Sequence, residues 1–565
     1  MGAARHVDTM RITHFAKTPG YLLCLLCLVT AVARADITRA LIDINERLFS
    51  TEPGYPVFRD TDIYERRLVG DFYQRNGYRP VWGDAGYVEQ MLGLLESSRE
   101  EGLDPDHYHL AELRSLRGGA GTSVPDTDYR DAQFDMLLTD ALILYARHLA
   151  EGKVDPRTLD SSWNYTRLDF KPEAVSGALL DAIAARQVGS LLERLKPDYD
   201  AYRLMRAALR EQREVARAET FRPVPTAPVL RPGDDHRNVI PLRHRLKQLG
   251  YLAPQEADSE RYDTAVEQAV RQFQLRNNLD VDGVVGRQSY EVLNISARER
   301  VDRLRINLDR LRWVSEDVSA EFILVNVAGY ELYYFRNGAL QWETPVMIGT
   351  IDTPTPIFRA PLRYLEFNPT WNVPRSILER SLFDKFRANP QFAVEQRFAF
   401  YDNNGAAVDP TAIRWDQYSA SSFPYRVVQM PGPANAMGRV KFMFPNPHAV
   451  YLHDTPTRAL FSRSQRAFSA GCIRVKAPLE LARLLLDDPV AWSTADIQAL
   501  LDSGAPRQVV QIARPVDVLL LYLTASPTPD GRIQYHHDVY QRDPDALAAL
   551  ETPPQASVRA KRDSL

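Results

Sequence analysis

Apolar residues recur every three to four positions through residues 36–217, most clearly over 39–49 ("RALIDINERLF"), 88–102 ("VEQMLGLLESSREEG") and 134–154 ("FDMLLTDALILYARHLAEGKV"). That spacing predicts amphipathic helices, each burying one stripe, separated by turns rich in Pro, Gly and Asp. Phe72, Tyr73, Tyr78 and Trp82 cluster in one connection, where they fit core packing better than a sugar-stacking surface. The periodicity stops at residues 219–235, whose four prolines stiffen the chain into a spacer and mark a domain boundary.

Helical spacing then returns in shorter pieces. Leu242, Leu246 and Leu249 face inward on one short helix and Ala265, Ala269 and Phe273 on a second, while Gly283 and Gly286 turn the chain into a third. A helix over 301–313 leads to a change of period. "EFILVNVAGYELYYFRNGAL" alternates in strand fashion around Asn337-Gly338, a strong hairpin signal. A further strand carries "TPVMIGT", followed by "DTPTPIF". Residues 362–431 are long for a connection between strands, and inserts of that length are usually lids or binding elements. Beyond them, Pro478 opens a helix, residues 515–540 read as a closing hairpin around Pro529-Asp530-Gly531, and the end of the chain is polar and frayed.

Length and composition narrow this picture. A chain of 565 residues exceeds one hydrophobic core, so two to four domains are expected. With 45% hydrophobic and 25% charged residues the composition is that of a folded protein. A formal net charge of -4 and the lack of a long basic run argue against a nucleic-acid partner.

The N-terminus changes the reading of the cysteines. Arg11 and Lys17 precede a short apolar run over 21–32, followed by Ala33-Arg34-Ala35. This is the pattern of a secretory leader cleaved after Ala35, with an uncleaved membrane anchor as the alternative. Of three cysteines, Cys24 and Cys27 fall in that leader, which leaves Cys472 alone in an exported chain. A lone cysteine there is an intermolecular bridge, an inert buried thiol or a reactive nucleophile.

Residues 451–475 ("YLHDTPTRALFSRSQRAFSAGCIRV") favour the last. Strand alternation puts Tyr451 and His453 on one face and Val450 and Leu452 on the other. Ser469-Ala470-Gly471-Cys472 forms a small-residue turn in which Gly471 lets the backbone approach a ligand, and Arg474 and Lys476 bring positive charge that favours thiolate. A cysteine with a histidine is the minimum for acyl transfer through a thioester, with turn N–H groups stabilising the oxyanion. A zinc site is disfavoured, because no CxxC or HExxH spacing accompanies His453 and Cys472.

The same stretch resembles the L,D-transpeptidase family, whose signature is a histidine followed by Ser-x-Gly-Cys-x-(Arg/Asn). "FNPTWNVP" and "PGPANAMGRVKFMFPNPHAVYLHDT" resemble its large periplasmic subgroup, and "LRHRLKQLGY", "AVRQFQ" and "DGVVG" resemble a small three-helix peptidoglycan-binding domain. The resemblance implies a multidomain α+β chain: leader 1–35, helical scaffold 36–218, linker 219–235, peptidoglycan-binding-like domain 236–296, β-rich catalytic domain 297–545 with an inserted lid over about 372–430, and tail 546–565. It implies Cys472 as nucleophile and His453 as general base, oriented by a backbone carbonyl rather than by Asp454. Tyr451 and the N–H groups of Gly471 and Cys472 would line the oxyanion position. Ser469 would orient the turn, Arg474 would hold a substrate carboxylate or shape the loop, and Trp371 would wall the cleft.

The implied substrate is the stem peptide of peptidoglycan. Release of D-Ala and 3-3 cross-linking would need no cofactor or metal, and carbapenems would acylate the same thiol. The implied location is the periplasm, beside other cell-wall synthases, with membrane contact only through an uncleaved leader. Water, a free D-amino acid or a lipoprotein lysine as acceptor stays open, as does a non-catalytic wall-binding scaffold. One departure is Ala470, where relatives often carry His or Ser.

Overall fold

Helix Thr127–Glu151 is the axis of the helical part, and from Asp135 to Tyr145 every side chain on it is buried. One buried stripe is what spacing alone predicts; here neighbouring helices cover the helix on all sides. Its two interior acids serve the surrounding turns. Asp135 accepts from the Tyr73 hydroxyl (2.6 Å) and the Trp82 N–H (2.9 Å), and Asp140 accepts from the Glu65 N–H (2.8 Å). Phe72, Tyr73 and Trp82 are therefore core residues. The computed structural model describes residues 37–47, 63–118 and 127–555 apart from 167, 169, 219, 278, 316–318 and 489. The leader at 1–35 and the last ten residues of the tail lie outside the described residues. Among the described residues no helix is long and apolar enough to cross a membrane.

Residues 224–293 close around a separate small core built on Leu242, Leu246, Val266, Val270 and Phe273. Ala265 and Leu249 are only half-buried, because Val266 and Val270 take the inward stripe with Ala269 and Phe273. Asp263 caps the second helix by accepting from the Val266 N–H (3.0 Å). This module touches the catalytic part where Asp280 accepts from the Ser464 N–H (3.0 Å).

Helix Ala297–Arg312 starts four residues earlier than the apolar pattern shows, because Ser296 and Glu299 form a reciprocal capping box. The strands then run β1 (Glu321–Asn326), β2 (Glu331–Arg336), β3 (Ala339–Gly349), β4 (Arg359–Phe367), β5 (Trp371–Asn372), β6 (Phe398–Tyr401), β7 (Ala407–Val408) and β8 (Arg426–Gln429). They continue with β9 (Val440–Met443), β10 (Leu452–His453), β11 (Ala467–Ser469), β12 (Ile473–Val475) and β13 (Gln508–Leu521).

Asn337 and Gly338 both have positive φ and join β2 to β3, as an Asn-Gly hairpin requires. "TPVMIGT" is not a separate strand but the end of β3, and "DTPTP" is a turn rather than a strand. The sheet order is β11-β3-β12-β10-β9-β4-β13-β1-β2, and β2 pairs back onto β3, so eight of its strands close into a barrel with β11 added outside β3. Closure removes the sheet's free edges. Residues 515–540 are accordingly more than a closing hairpin: 515–521 complete β13, which lies between β4 and β1, and only 525–535 form a small two-stranded hairpin. Helices and barrel share one continuous core, and the Tyr165 hydroxyl ties them by donating to the carbonyls of Leu520 (2.8 Å) and Phe358 (3.1 Å).

Between β4 and β9 the chain builds a second small sheet, β5-β8-β6-β7, with its own aromatic core of Phe383, Phe386, Phe400, Trp415 and Phe423. A core of its own lets this insert hold its shape independently of the barrel.

Candidate active site

Four strands place the site. Directly paired residues point to the same side of a sheet, and the pairs Glu366↔Lys441, Lys441↔His453 and His453↔Arg474 run across β4, β9, β10 and β12. This polar row backs onto alternate residues Leu365, Phe442, Leu452 and Ile473, which are buried in the core. Cys472 directly precedes β12, so the register sets it beside Tyr451, and the Ile473 N–H donates to the Tyr451 carbonyl (3.1 Å).

The turn bearing Cys472 is held from within and from outside. Ser469 Oγ donates to the Cys472 carbonyl (2.5 Å) and accepts from the Gly471 N–H (3.1 Å). Gly471 has φ +109°, a conformation that side chains disfavour. Thr355 donates to the Gly471 carbonyl (2.9 Å), and Thr353 donates to the Ser469 carbonyl (3.2 Å). The "DTPTP" segment is thus the clamp on the nucleophile turn. One expected role is corrected: the Gly471 N–H is already bonded to Ser469 Oγ, so it is not the free oxyanion donor expected of it. The Cys472 N–H has no such partner among the described contacts.

Cys472 is half-buried, and its Sγ lies 3.8 Å from the Ala449 carbonyl oxygen. Burial pushes its thiol up, against the opposing effects of hydrogen bonds from the Tyr451 backbone and side chain and of the Lys441 and Arg474 charges. Tyr451 lies beside the thiol and favours its thiolate. The cations beside the thiol are not the expected pair, since Lys441 on β9 takes the place assigned to Lys476. Arg474 is where the motif put it, with its Nε buried and unbonded.

His453 is 2% exposed. Burial, then the Arg474 and Lys441 charges, push it down to about 3, while the carbonyls of Asp454 and Met437 pull the other way. The ring is therefore neutral across the physiological range. Its Nδ1 is buried with no hydrogen-bond partner. Among the described residues no hydrogen bond joins it to Cys472 Sγ; such contacts tighten when substrate enters. The Tyr451 and His453 rings lie 5.6 Å apart, edge to face.

The Asp454 side chain acts on this histidine without bonding to it. Its buried carboxylate accepts from the Arg439 N–H (2.9 Å) and from Arg458 (2.6 Å), and it pins the 437–439 turn that brings the Met437 carbonyl to His453. Gly438 has φ +62°, and a Cβ there would sit 2.4 Å from Asp454 Cβ, so only glycine fits. Asp454→Ala is expected to cost about 2 kcal/mol of stability and to slow acylation of Cys472 up to about 100-fold through misplacement of His453; thermal melting and single-turnover acylation check both.

Trp371 lies apart, on β5 of the insert, with its ring 6.4 Å from that of Phe398. No described contact joins it to Cys472 or His453. Asn435 links insert and site: its side chain, 1% exposed, donates to the carbonyls of Pro369, Gln429 and Met430 just ahead of Met437. Among the described residues no group of three His, Cys, Asp or Glu side chains could hold a metal.

A closed barrel thus carries a buried histidine, a cysteine in a clamped turn and flanking cations, groups that acyl transfer can use. Residues 320–502 match the L,D-transpeptidase catalytic domain, residues 235–293 a "Putative peptidoglycan binding domain" and residues 67–209 a scaffold domain. The chain thus carries an L,D-transpeptidase catalytic domain in the company of those two modules. It is 35% identical to a "Putative L,D-transpeptidase" of Haemophilus influenzae over 241 residues, which are 43% of this chain and 48% of that protein; the match therefore spans about half of the relative. Two solved structures also match: the Ldtfm-avibactam carbamoyl enzyme (14% identity, 36% of this chain and 49% of that one, TM-score 0.17) and an L,D-transpeptidase from Xylanimonas cellulosilytica (15%, 52% and 99%, TM-score 0.16). At those scores neither bears on the fold.

Proposed function

We propose that the chain is an exported cysteine L,D-transpeptidase that forms 3-3 cross-links between peptidoglycan stem peptides. The observation that carries this reading is buried His453 on the strand paired with the one that directly follows the Cys472 turn. Cys472 loses its proton to the His453 ring and attacks the carbonyl between the L-centre of a position-three diamino acid and the terminal D-Ala. As the C–N bond breaks, His453 returns the proton to the departing amine and a thioester remains. The position-three amine of a neighbouring stem then attacks the thioester. The C–S bond breaks, the new amide forms, and the amine's proton returns to the sulfur through His453.

The Tyr451 hydroxyl and Arg474 charge stabilise the thiolate, and the Cys472 N–H faces the developing oxyanion. The insert over about 372–430 serves as a lid, and the module over 236–296 holds the enzyme on the wall. The leader places the enzyme in the periplasm. Carbapenems, as acyl donors, block the same thiol. Full-length enzyme incubated with tetrapeptide stems is expected to release D-Ala and give 3-3 dimers detectable by mass spectrometry. D-Ala release without dimers would instead make it a carboxypeptidase, and neither product would leave a wall-binding scaffold.

A further inference from the structure

The resting site holds a cation that nothing in the mechanism has yet used. Lys441 is half-buried on β9, directly across from His453 in the sheet. Its Nζ lies 4.3 Å from the centre of the ring of Tyr451, which sits beside Cys472 in the strand register and favours its thiolate. Lys441 makes no hydrogen bond or ion pair among the described residues. The acid nearest to it in the polar row, Glu366 on β4, is engaged by Arg507 at 3.6 Å. The other groups around it are Tyr451, His453 and Arg474, none of them anionic at neutral pH. A lysine withdrawn from water without a direct ion pair is costly; the Glu366 carboxylate, shared with Arg507, offsets part of that cost, and the other group nearby that can become an anion is the Cys472 sulfur.

We propose that Lys441 is the counter-ion of the Cys472 thiolate, held on the face of the Tyr451 ring so that its charge stabilises the nucleophile while the histidine stays neutral. Many cysteine–histidine sites stabilise thiolate with an imidazolium. Here His453 lies between two fixed cations, Lys441 and Arg474, which oppose a third positive charge. The ammonium and the guanidinium take over that role, and His453 is left free to carry protons. Lys441 is thus a positioning residue: it acts through the sulfur and the tyrosine, not on substrate. The assignment rests on Cys472 being the nucleophile, but its test needs no peptidoglycan.

The test is alkylation of Cys472 in the full-length chain, read as modification of its peptide by mass spectrometry across pH. With iodoacetamide, Lys441→Met is expected to move the ionisation of the thiol to higher pH and to slow alkylation at pH 7 on the order of tenfold; Lys441→Arg is expected to restore the wild-type curve. In the wild type, anionic iodoacetate is expected to react faster relative to neutral iodoacetamide than it does with a free cysteine peptide, and Lys441→Met is expected to reduce that preference. Superimposable profiles for wild type and Lys441→Met would overturn the proposal, as would a wild-type reagent preference equal to that of the free peptide. A wild-type preference no greater than that of the free peptide would overturn the proposal even if the methionine variant does not fold, and Lys441→Gln, which keeps a polar side chain, serves then as the second variant. Loss of transpeptidation with an unchanged alkylation profile would assign Lys441 to substrate and reject it as counter-ion. A Cys472→Ala variant that retained activity would reject the nucleophile itself, a different failure.

Discussion

Cys472→Ala is expected to abolish both D-Ala release and dimer formation, a loss of about 10,000-fold or more. The magnitude follows from the absence of a substitute. Outside residues 1–35 the chain has no other cysteine, and the neighbouring hydroxyl, that of Ser469, is committed to the Cys472 carbonyl and the Gly471 N–H. Nor does the variant disturb the scaffold of the site, because the turn is held by main-chain contacts with Ser469, Thr353 and Thr355. Melting temperature is therefore expected to stay within a degree or two of wild type, since removing a half-exposed thiol costs little. Chromatography of muropeptides after incubation with each protein reads the loss. Dimers formed by Cys472→Ala at more than about a thousandth of the wild-type rate would be incompatible with thioester chemistry.

The second large effect concerns His453 and pH. With His453 pushed down to about 3 by burial and two cations, protonation of the ring does not limit the reaction between pH 5 and 7. With the thiol pushed up by burial, reactivity is expected to climb with pH through the neutral and alkaline range as thiolate accumulates. The sign is fixed by these directions: a raised thiol is less ionised at any given pH, and a lowered histidine loses its proton well below the working range. Imidazole and thiol are coupled, because a proton arriving on the ring is stabilised by the thiolate it leaves behind. His453→Gln, which keeps a polar side chain but removes the base, is expected to lower the acylation rate by about 100- to 10,000-fold and to leave a profile that depends more steeply on thiolate. Single-turnover acylation between pH 5 and 9 separates the outcomes. A bell-shaped profile with an acid limb near pH 6 would mean that a histidine of ordinary basicity controls the reaction.

What was legible in the sequence was what lies close together along it. His453, Ser469, Gly471, Cys472 and Arg474 fall within one short stretch, and the Asn337-Gly338 hairpin is fixed by the positive φ of two adjacent residues. Lys441, Met437 and Thr355 escaped because strand register brings them in. Lys441 meets His453 through an antiparallel pairing, and Thr355 reaches the Cys472 turn from a segment more than a hundred residues away in sequence. Barrel closure was hidden for the same reason: the β2–β3 hairpin reads as local, yet it also joins the two ends of the sheet order. Positive charge near the thiol comes from Arg474 in the motif and from Lys441 across the sheet, not from the neighbouring Lys476. The helical stripe of Thr127–Glu151 was read too narrowly because polar residues such as Asp135 and Asp140 are buried to cap turns, which periodicity cannot distinguish from exposure.

The central claim, that Cys472 carries the acyl group between donor and acceptor, is tested most directly by the intact mass of the enzyme after rapid mixing with a tetrapeptide stem and acid quenching. The expected result is an increment equal to the tripeptide acyl moiety, located on the Cys472 peptide and lost on addition of an acceptor amine or hydroxylamine. Turnover of the donor with no increment on Cys472, or an increment that persists in Cys472→Ala, would contradict it.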